Sequence, residues 1–448
     1  MNTLNTSLQA QSLRCDVLVA GAGPAGLSAA LAAASGGARV LLLDDNPWTG
    51  GQIWRGGPYA ELPAAAKALQ HKVAASHNIE VLHAARVVGV VGQLADHTVL
   101  VETDSGALHV HWGRLVVCTG ARERLLPFAG WTLPGVTGAG GLQALIKGGL
   151  PVRGQRVVIA GSGPLLFAVA ASARKAGAKV LLVAEQASLA RVSGFARKLP
   201  LWPSKLVQAL QLRDSSYRTS TTVRAVQGVG KVQSVTVKQG ESLRTVECDR
   251  VAVGYGLLPN TGLAEALGCA MVMRDGAPAI AVDALQATSQ ADIYAAGECT
   301  GVGGSERALA QGSIAGYAAI GALQQACALE KERAYWSAFA AHMHASFALD
   351  PGLKNLPMPE TLVCRCEDVS HQALQAHGSW TEAKIHTRCG MGACLGKVCG
   401  SAAAFLYGWQ MPEARLPLAV ARVATLAASA PERLTCPDAP GSGGRPSK

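Results

Sequence analysis

The chain has 448 residues, more than one ordinary core can organise, so two or three domains are expected. Apolar residues make up 49%, charged residues 16% and aromatics 5%, with 51 glycines, which points to a large interior built from small side chains. The net charge of +10 is mostly dispersed and no nucleic-acid-binding motif accompanies it, so nucleic acid is not an expected partner.

The opening "MNTLNTSLQAQSLRC" lacks the apolar core of a secretory signal, and no run of eighteen apolar residues occurs. A cytoplasmic location with reduced thiols is therefore expected for the 12 cysteines, and clustered cysteines there usually bind metal.

The first readable unit is "CDVLVAGAGPAGLSAALAAASGGARVLLLDDN", a strand over 17–20, a tight turn, a helix and a second strand. Gly21 permits the turn, Gly23 lets a pyrophosphate approach the backbone, and Gly26 lets the helix pack close to the sheet. The helix N-terminus then offers unpaired N–H groups to phosphate. The second strand ends in Asp44, placed to accept from ribose hydroxyls, with Asp45 as the substitute should the register slip by one.

Three later pieces accompany this loop: "GGQIW" from Gly50, "LVVCTGARER" with Thr119, Gly120 and Ala121, and "ADIYAAGECTG" with Gly297 and Glu298. Together they resemble two-dinucleotide-domain flavoproteins of the glutathione- and thioredoxin-reductase type, over roughly residues 14–325. The resemblance implies an α/β flavoprotein whose first loop binds the ADP half of FAD. Carried over by position, it implies FAD contacts from Gly21, Gly23, Pro24, Ala25, Gly26, Asp44, Asp45, Gly51, Gln52, Val87, Thr119, Gly120, Ala121, Gly297 and Glu298. Glu298 stands where aspartate is more usual and would meet the ribityl chain. The FAD domain is expected in two parts, 1–146 and 262–330, around a second dinucleotide-type domain at 147–261.

That second domain opens with "GQRVVIAGSGPLLFAVAASARKAGAKVLLVAEQ". Gly161 and Gly163 are present, but Leu166 stands at the packing glycine, which separates helix from strand and weakens a pyrophosphate site. Glu185 comes one residue later than the first fold's spacing predicts, and no arginine pair follows for an NADP phosphate. No redox-active cysteine pair precedes residue 389. Cys15, Cys118, Cys248, Cys269, Cys299 and Cys327 read as apolar fillers, so disulfide-reductase chemistry is not expected.

Next comes "SGFARKLPLWPSKLVQALQLR", in which Ser204 is positioned to cap a short helix. Phe195, Leu199, Leu201 and Trp202 read either as a docking surface for a partner or as locally packed core, the latter favoured. The basic residues over 186–224 read as a solvated face, with an acidic protein partner as the alternative.

From about residue 335 a small module begins, with "CRCEDVS" and "CGMGACLGKVC" at its two ends. Asp368 or Ser370 is placed to cap a first helix, and a second begins near Trp380. The spacing C-x-C, a gap, then C-x4-C-x4-C departs from the paired spacing of structural zinc. Gly390, Gly392, Gly396 and Gly400 suit loops whose amides point at cluster sulfur, which favours a two-iron cluster. Arg365, Lys384, Arg388 and Lys397 offset its charge, against Glu367 and Asp368. The module resembles bacterioferritin-associated-ferredoxin-like [2Fe-2S] domains, and matching that pattern implies Cys364, Cys366, Cys394 and Cys399 as ligands, with Cys389 a bystander.

The combination resembles, over roughly 14–420, the alpha subunits of hydrogen cyanide synthase, opine oxidases and D-hydroxyproline and proline dehydrogenases. That resemblance implies an electron-transferring subunit with FAD and a [2Fe-2S] cluster, and possible FMN at a subunit interface. It further implies a glycine/sarcosine-oxidase-like FAD beta subunit that oxidises the C–N bond of an amino acid, imino acid or opine, and a small ferredoxin-like gamma subunit. No catalytic residue is expected on this chain. The alternatives are a self-sufficient NAD(P)H-dependent reductase and an iron-handling protein.

Overall fold

The computed structural model describes residues 11–57, 59–92, 94–411 and 414–428. A buried apolar run builds β1 (Gln11–Ala20), and glycines at its end turn the chain into α1 (Pro24–Ala34) and back into β2 (Val40–Leu43). Helix α2 (Ala64–Ala74) leads to β3 (Ile79–Leu82), and an antiparallel meander follows: β4 (Arg86–Val90), β5 (Thr98–Thr103) and β6 (Gly106–Val117). β1 begins earlier than its buried half suggests, because its first residues pair with β6 from Gln11↔Leu108 onward.

The chain crosses out through β7 (Ala121–Glu123) to a second sheet begun by β8 (Val136–Gly138). Then come α3 (Ala139–Lys147), β9 (Arg156–Gly161), α4 (Leu165–Lys175), β10 (Lys179–Glu185), α5 (Leu189–Lys198), α6 (Pro203–Gln211) and β11 (Tyr217–Arg218). An antiparallel sheet, β12 (Thr221–Gln227), β13 (Ser234–Gln239) and β14 (Ser242–Glu247), precedes β15 (Arg250–Gly254). The second sheet runs β11-β10-β9-β15-β8. Because β8 pairs in parallel with β15, the second fold starts near residue 136, ahead of the expected 147. Pro203 and not Ser204 opens α6: Trp202 is the residue before its first turn and no side chain caps it.

β16 (Leu257–Pro259) pairs antiparallel with β7, so outgoing and returning strands form one crossover. After it come α7 (Gly262–Ala266), the hairpin β17 (Met271–Arg274) and β18 (Ala277–Ile280), then β19 (Ile293–Ala295) and α8 (Ser305–Ala319). β19 joins the first sheet, whose order is β3-β2-β1-β6-β5-β4, on the C-terminal half of β6. α1 and α8 cross on small residues: a Cβ on Gly312 would lie 2.1 Å from the Ala25 carbonyl oxygen, and one on Gly316 2.3 Å from that of Ala29.

α9 (Leu323–Ala328) and α10 (Glu330–Phe347) lead to the C-terminal module of β20 (Leu362–Cys364), β21 (Val369–Ser370), α11 (His371–Gln375), α12 (Trp380–Thr387) and α13 (Cys399–Tyr407). Ser370 caps α11, as expected, and Ser379 caps α12. Val363, Leu374, Trp380, Ala383 and Trp409 form a small core with three of the cysteines. Residues 414–428, ending in α14 (Val423–Ala427), then leave the module and lie back across β4 and β5. There Leu418 N donates to Val88 O at 2.9 Å, and Arg422 N and Thr425 Oγ1 donate to Glu102 at 2.7 and 2.6 Å. The expected C-terminal domain therefore includes a strap that belongs structurally to the first sheet.

Candidate cofactor and metal sites

The first dinucleotide loop is shaped by steric necessity. A Cβ on Gly26 would lie 1.7 Å from Gly21 O, and one on Gly21 2.3 Å from Cys118 O, so only glycine fits either place. α1 therefore starts directly on the sheet, with its free N–H groups facing the loop and Pro24 at its first turn. β2 ends at Leu43, paired with Ala20, and this register turns Asp44 inward. Its Oδ2 accepts from Ala22 N at 2.8 Å and its Oδ1 from Asn46 N and Nδ2, both at 2.8 Å. Burial raises the Asp44 pKa above the ordinary carboxylate value. Asp45 is exposed, so Asp44 is the buried acid at the end of β2.

Gly50 N donates to Ala22 O at 2.7 Å, which lays the 50–55 segment over the loop and brings Gly51 beside Gly23. Gln52 accepts from Arg55 Nη2 at 2.8 Å. Arg55, whose Nε is buried without a partner, was not singled out in the sequence; an arginine two residues past "GGQI" carries no pattern of its own. Val87 sits on β4, packed against the first core. Thr119, Gly120 and Ala121 hold the crossover: Thr119 Oγ1 donates to Asn260 O at 2.6 Å, and Asn260 N donates back to Gly120 O at 3.0 Å. Gly297 packs on α1, where its Cβ would meet that of Ala25 at 2.7 Å. Glu298 follows Gly297 at the end of β19, accepts from Gly304 N at 3.3 Å, and has its pKa raised by burial. A glycine cradle, a helix N-terminus and two buried carboxyl groups fit FAD.

In the second fold Glu185 holds the place that Asp44 holds in the first. Glu185 pairs with Gly161, and the extra residue that separates them is absorbed by a bulge between Val180 and Leu182. Leu166 is fully buried.

Among the described cysteines all eleven are free. Cys15, Cys118, Cys248, Cys269 and Cys299 are buried fillers, as expected, whereas Cys327 is exposed. The Sγ atoms of Cys364, Cys389 and Cys399 lie within 4.8 Å of one another, and all three residues are buried. Cys366 and Cys394 are more exposed and lie side by side, with the Cys394 amide directed at the Cys366 sulfur. Backbone amides of Gly390, Glu367 and Cys366 point at Cys364. The glycines make this possible: a Cβ on Gly392 would fall 2.2 Å from Cys366 Cβ, and one on Gly390 2.5 Å from the Trp380 ring.

The pKa of Cys399 is pushed far up, first by the thiol of Cys389 and then by burial. A buried trio of thiols beside a more exposed pair, with amides directed at the sulfurs, fits an iron–sulfur cluster. The buried trio alone holds three sulfurs, so any four-thiolate centre must recruit Cys366 or Cys394.

The module is pressed onto the crossover. Trp131 Nε1 donates to Leu362 O at 2.6 Å, and the Arg365 guanidinium lies over the Trp131 ring at 5.2 Å. Arg122 Nε donates to Lys397 O at 3.4 Å, between Cys394 and Cys399. Arg388 is paired with Glu367 at 2.9 Å, which leaves Lys397 and Arg365 as the expected cations nearest the crossover.

Phe195, Leu199 and Trp202 are buried against Phe339 of α10, so this segment is packed core, while Leu201 stays exposed. No helix among the described residues is long and apolar enough to cross a membrane.

Residues 15–322 match the pyridine nucleotide-disulphide oxidoreductase family. The chain is 30% identical over 425 residues to hydrogen cyanide synthase subunit HcnB of Pseudomonas protegens, covering 85% of this chain and 89% of that one. It is 32% identical over 414 residues to an opine oxidase subunit from Rhizobium meliloti, covering 86% and 90%. Among solved structures, L-proline dehydrogenase from P. horikoshii shares its fold with a TM-score of 0.68 at 19% identity, covering 94% of this chain and 80% of that one.

Proposed function

This chain belongs to the pyridine nucleotide-disulphide oxidoreductase family, and from that premise we propose that it is the electron-transferring subunit of a heteromeric dehydrogenase or oxidase. The partner is an FAD-containing, glycine/sarcosine-oxidase-like beta subunit, on which the C–N bond of an amino acid, imino acid or opine is oxidised. A small ferredoxin-like gamma subunit completes the assembly, an interface FMN has its place between the large subunits, and the complex works in the cytoplasm, where free thiols persist.

The observation that carries this reading is the pressing of a thiol-rich module, with three buried cysteine sulfurs grouped together, onto the crossover of a dinucleotide fold that has no redox cysteine pair among its described residues. Bound flavin and cluster supply the electron-accepting chemistry, and the protein positions them. The α1 amides hold the pyrophosphate, Asp44 the ribose and Glu298 the ribityl chain. Cys364, Cys366, Cys394 and Cys399 hold the cluster, with Cys389 packed beneath. Gly390 and its neighbours keep amides on the sulfurs, which stabilises their charge. No side chain here takes a proton from substrate.

The test is anaerobic. Purified with its partner, the chain should lose oxidised-flavin and cluster absorbance on addition of the amino or imino substrate, and alone it should not. Rapid bleaching of the isolated chain by NADH would establish the self-sufficient reductase instead.

A further inference from the structure

The second dinucleotide loop is in contact with the chain's own linker. Ser162, between the two glycines, donates from Oγ to Phe347 O at 2.9 Å. Gln186, directly after the strand acid, donates from Nε2 to Ser162 Oγ at 2.9 Å and to Ala348 O at 3.2 Å. Its Oε1 accepts from Asp350 N at 3.1 Å. Arg191, in the first turn of α5, donates to Ala345 O at 3.2 Å. The Phe347 ring closes over the loop, so that a Cβ on Gly163 would meet its Cγ at 3.8 Å.

The acid itself is spent inward. Glu185 is 0% exposed, with Oε2 accepting from Gly163 N at 2.7 Å and Oε1 from Ala187 N at 2.8 Å. A pyrophosphate approaching the loop would have to displace Phe347. The aromatic packing behind the linker is continuous: Phe195 meets Phe347 edge-on at 5.1 Å and stacks on His342 at 5.2 Å.

We propose that residues 345–350 are the resident ligand of the second dinucleotide fold, which takes no pyridine nucleotide and instead anchors the linker that carries the cysteine module. The loop, strand and helix are retained because they grip a peptide: the hydroxyl and amide at Ser162 and Gln186 read carbonyls and an N–H where phosphate oxygens and a ribose would otherwise lie. This inference stands on the linker's own contacts and does not depend on the electron-transfer reading.

Two measurements on the purified, cofactor-loaded protein test it. Equilibrium dialysis against NADH and NADPH up to about 1 mM, the top of the usual enzymatic range, should show no saturable binding. One equivalent bound to the wild-type chain would overturn the proposal. Hydrogen exchange should find the Asp350 amide protected, and Gln186→Ala should speed its exchange roughly tenfold while flavin and cluster absorbance stay unchanged. Ser162→Ala, which removes one hydroxyl, should give a smaller change in the same segment, and serves if the first variant fails to fold. Exchange over 345–350 that is fast in the wild type, or unmoved in a folded variant, would refute the anchoring.

Discussion

Substituting Gly26→Ala tests the first cradle most directly. The added methyl would sit 1.7 Å from Gly21 O, 2.9 Å from Gly21 C and 3.4 Å from Val19 Cγ1. The first two obstacles are backbone, so no rotamer change relieves them. α1 cannot simply withdraw, because its far side is already against α8, where Gly312 leaves no room for a side chain beside Ala25. Overpacking of this kind costs about 1–3 kcal/mol, and a contact more than 1 Å short against backbone belongs at the upper end. The displaced helix N-terminus would also carry its N–H groups out of hydrogen-bonding range of a pyrophosphate. The assay is flavin content per chain together with the thermal midpoint, and both should fall. Gly194→Ala in α5 is the control: nothing lies within 4 Å of its Cβ, so it should be neutral or stabilising by up to about 1 kcal/mol. Full flavin content and an unchanged midpoint in Gly26→Ala would refute the steric argument.

The cysteines should separate by electron paramagnetic resonance of the reduced protein: Cys394→Ser should abolish the cluster signal and Cys389→Ser should leave it, the reverse result reassigning the ligands. The Glu185 pKa is raised by burial to about 7, against 4.5 for the ordinary group. Its contribution to stability is therefore full below about pH 4.5 and lost as pH rises through 7, roughly 3 kcal/mol in all. Melts across that window should be flatter for Glu185→Gln than for the wild type. Glu102→Ala removes the acceptor shared by Arg422 and Thr425 and should cost about 1–3 kcal/mol of strap attachment, read as faster proteolysis of 414–428.

The first loop was legible because its constraints are local: three glycines and an acid act within one strand, turn and strand. The choice between Asp44 and Asp45 was not local, since it depends on β2 stopping at Leu43 opposite Ala20. Likewise the late position of Glu185 looked like a defect in sequence, whereas a bulge near Leu181 restores its place. The packed-core reading of Phe195, Leu199 and Trp202 was borne out through a partner helix more than a hundred residues away. Cys389 has no distinguishing spacing, and only the fold shows it buried against Cys364 and Cys399. The strap carries no periodicity, because it is held by scattered contacts: single hydrogen bonds to β4 and β5, Leu418 against the first core, and Ala428 O beside His109 of β6.

The strap also closes a circuit. The module leaves the body through the linker seated at Ser162 and Gln186, touches it at Arg122 and Trp131, and returns to it along β4 and β5. A group tethered at entry, waist and exit cannot swing like a carrier on a flexible arm. The gap between the thiol pocket and the dinucleotide fold is therefore a fixed length, and solvent viscosity has no search step within the chain to slow.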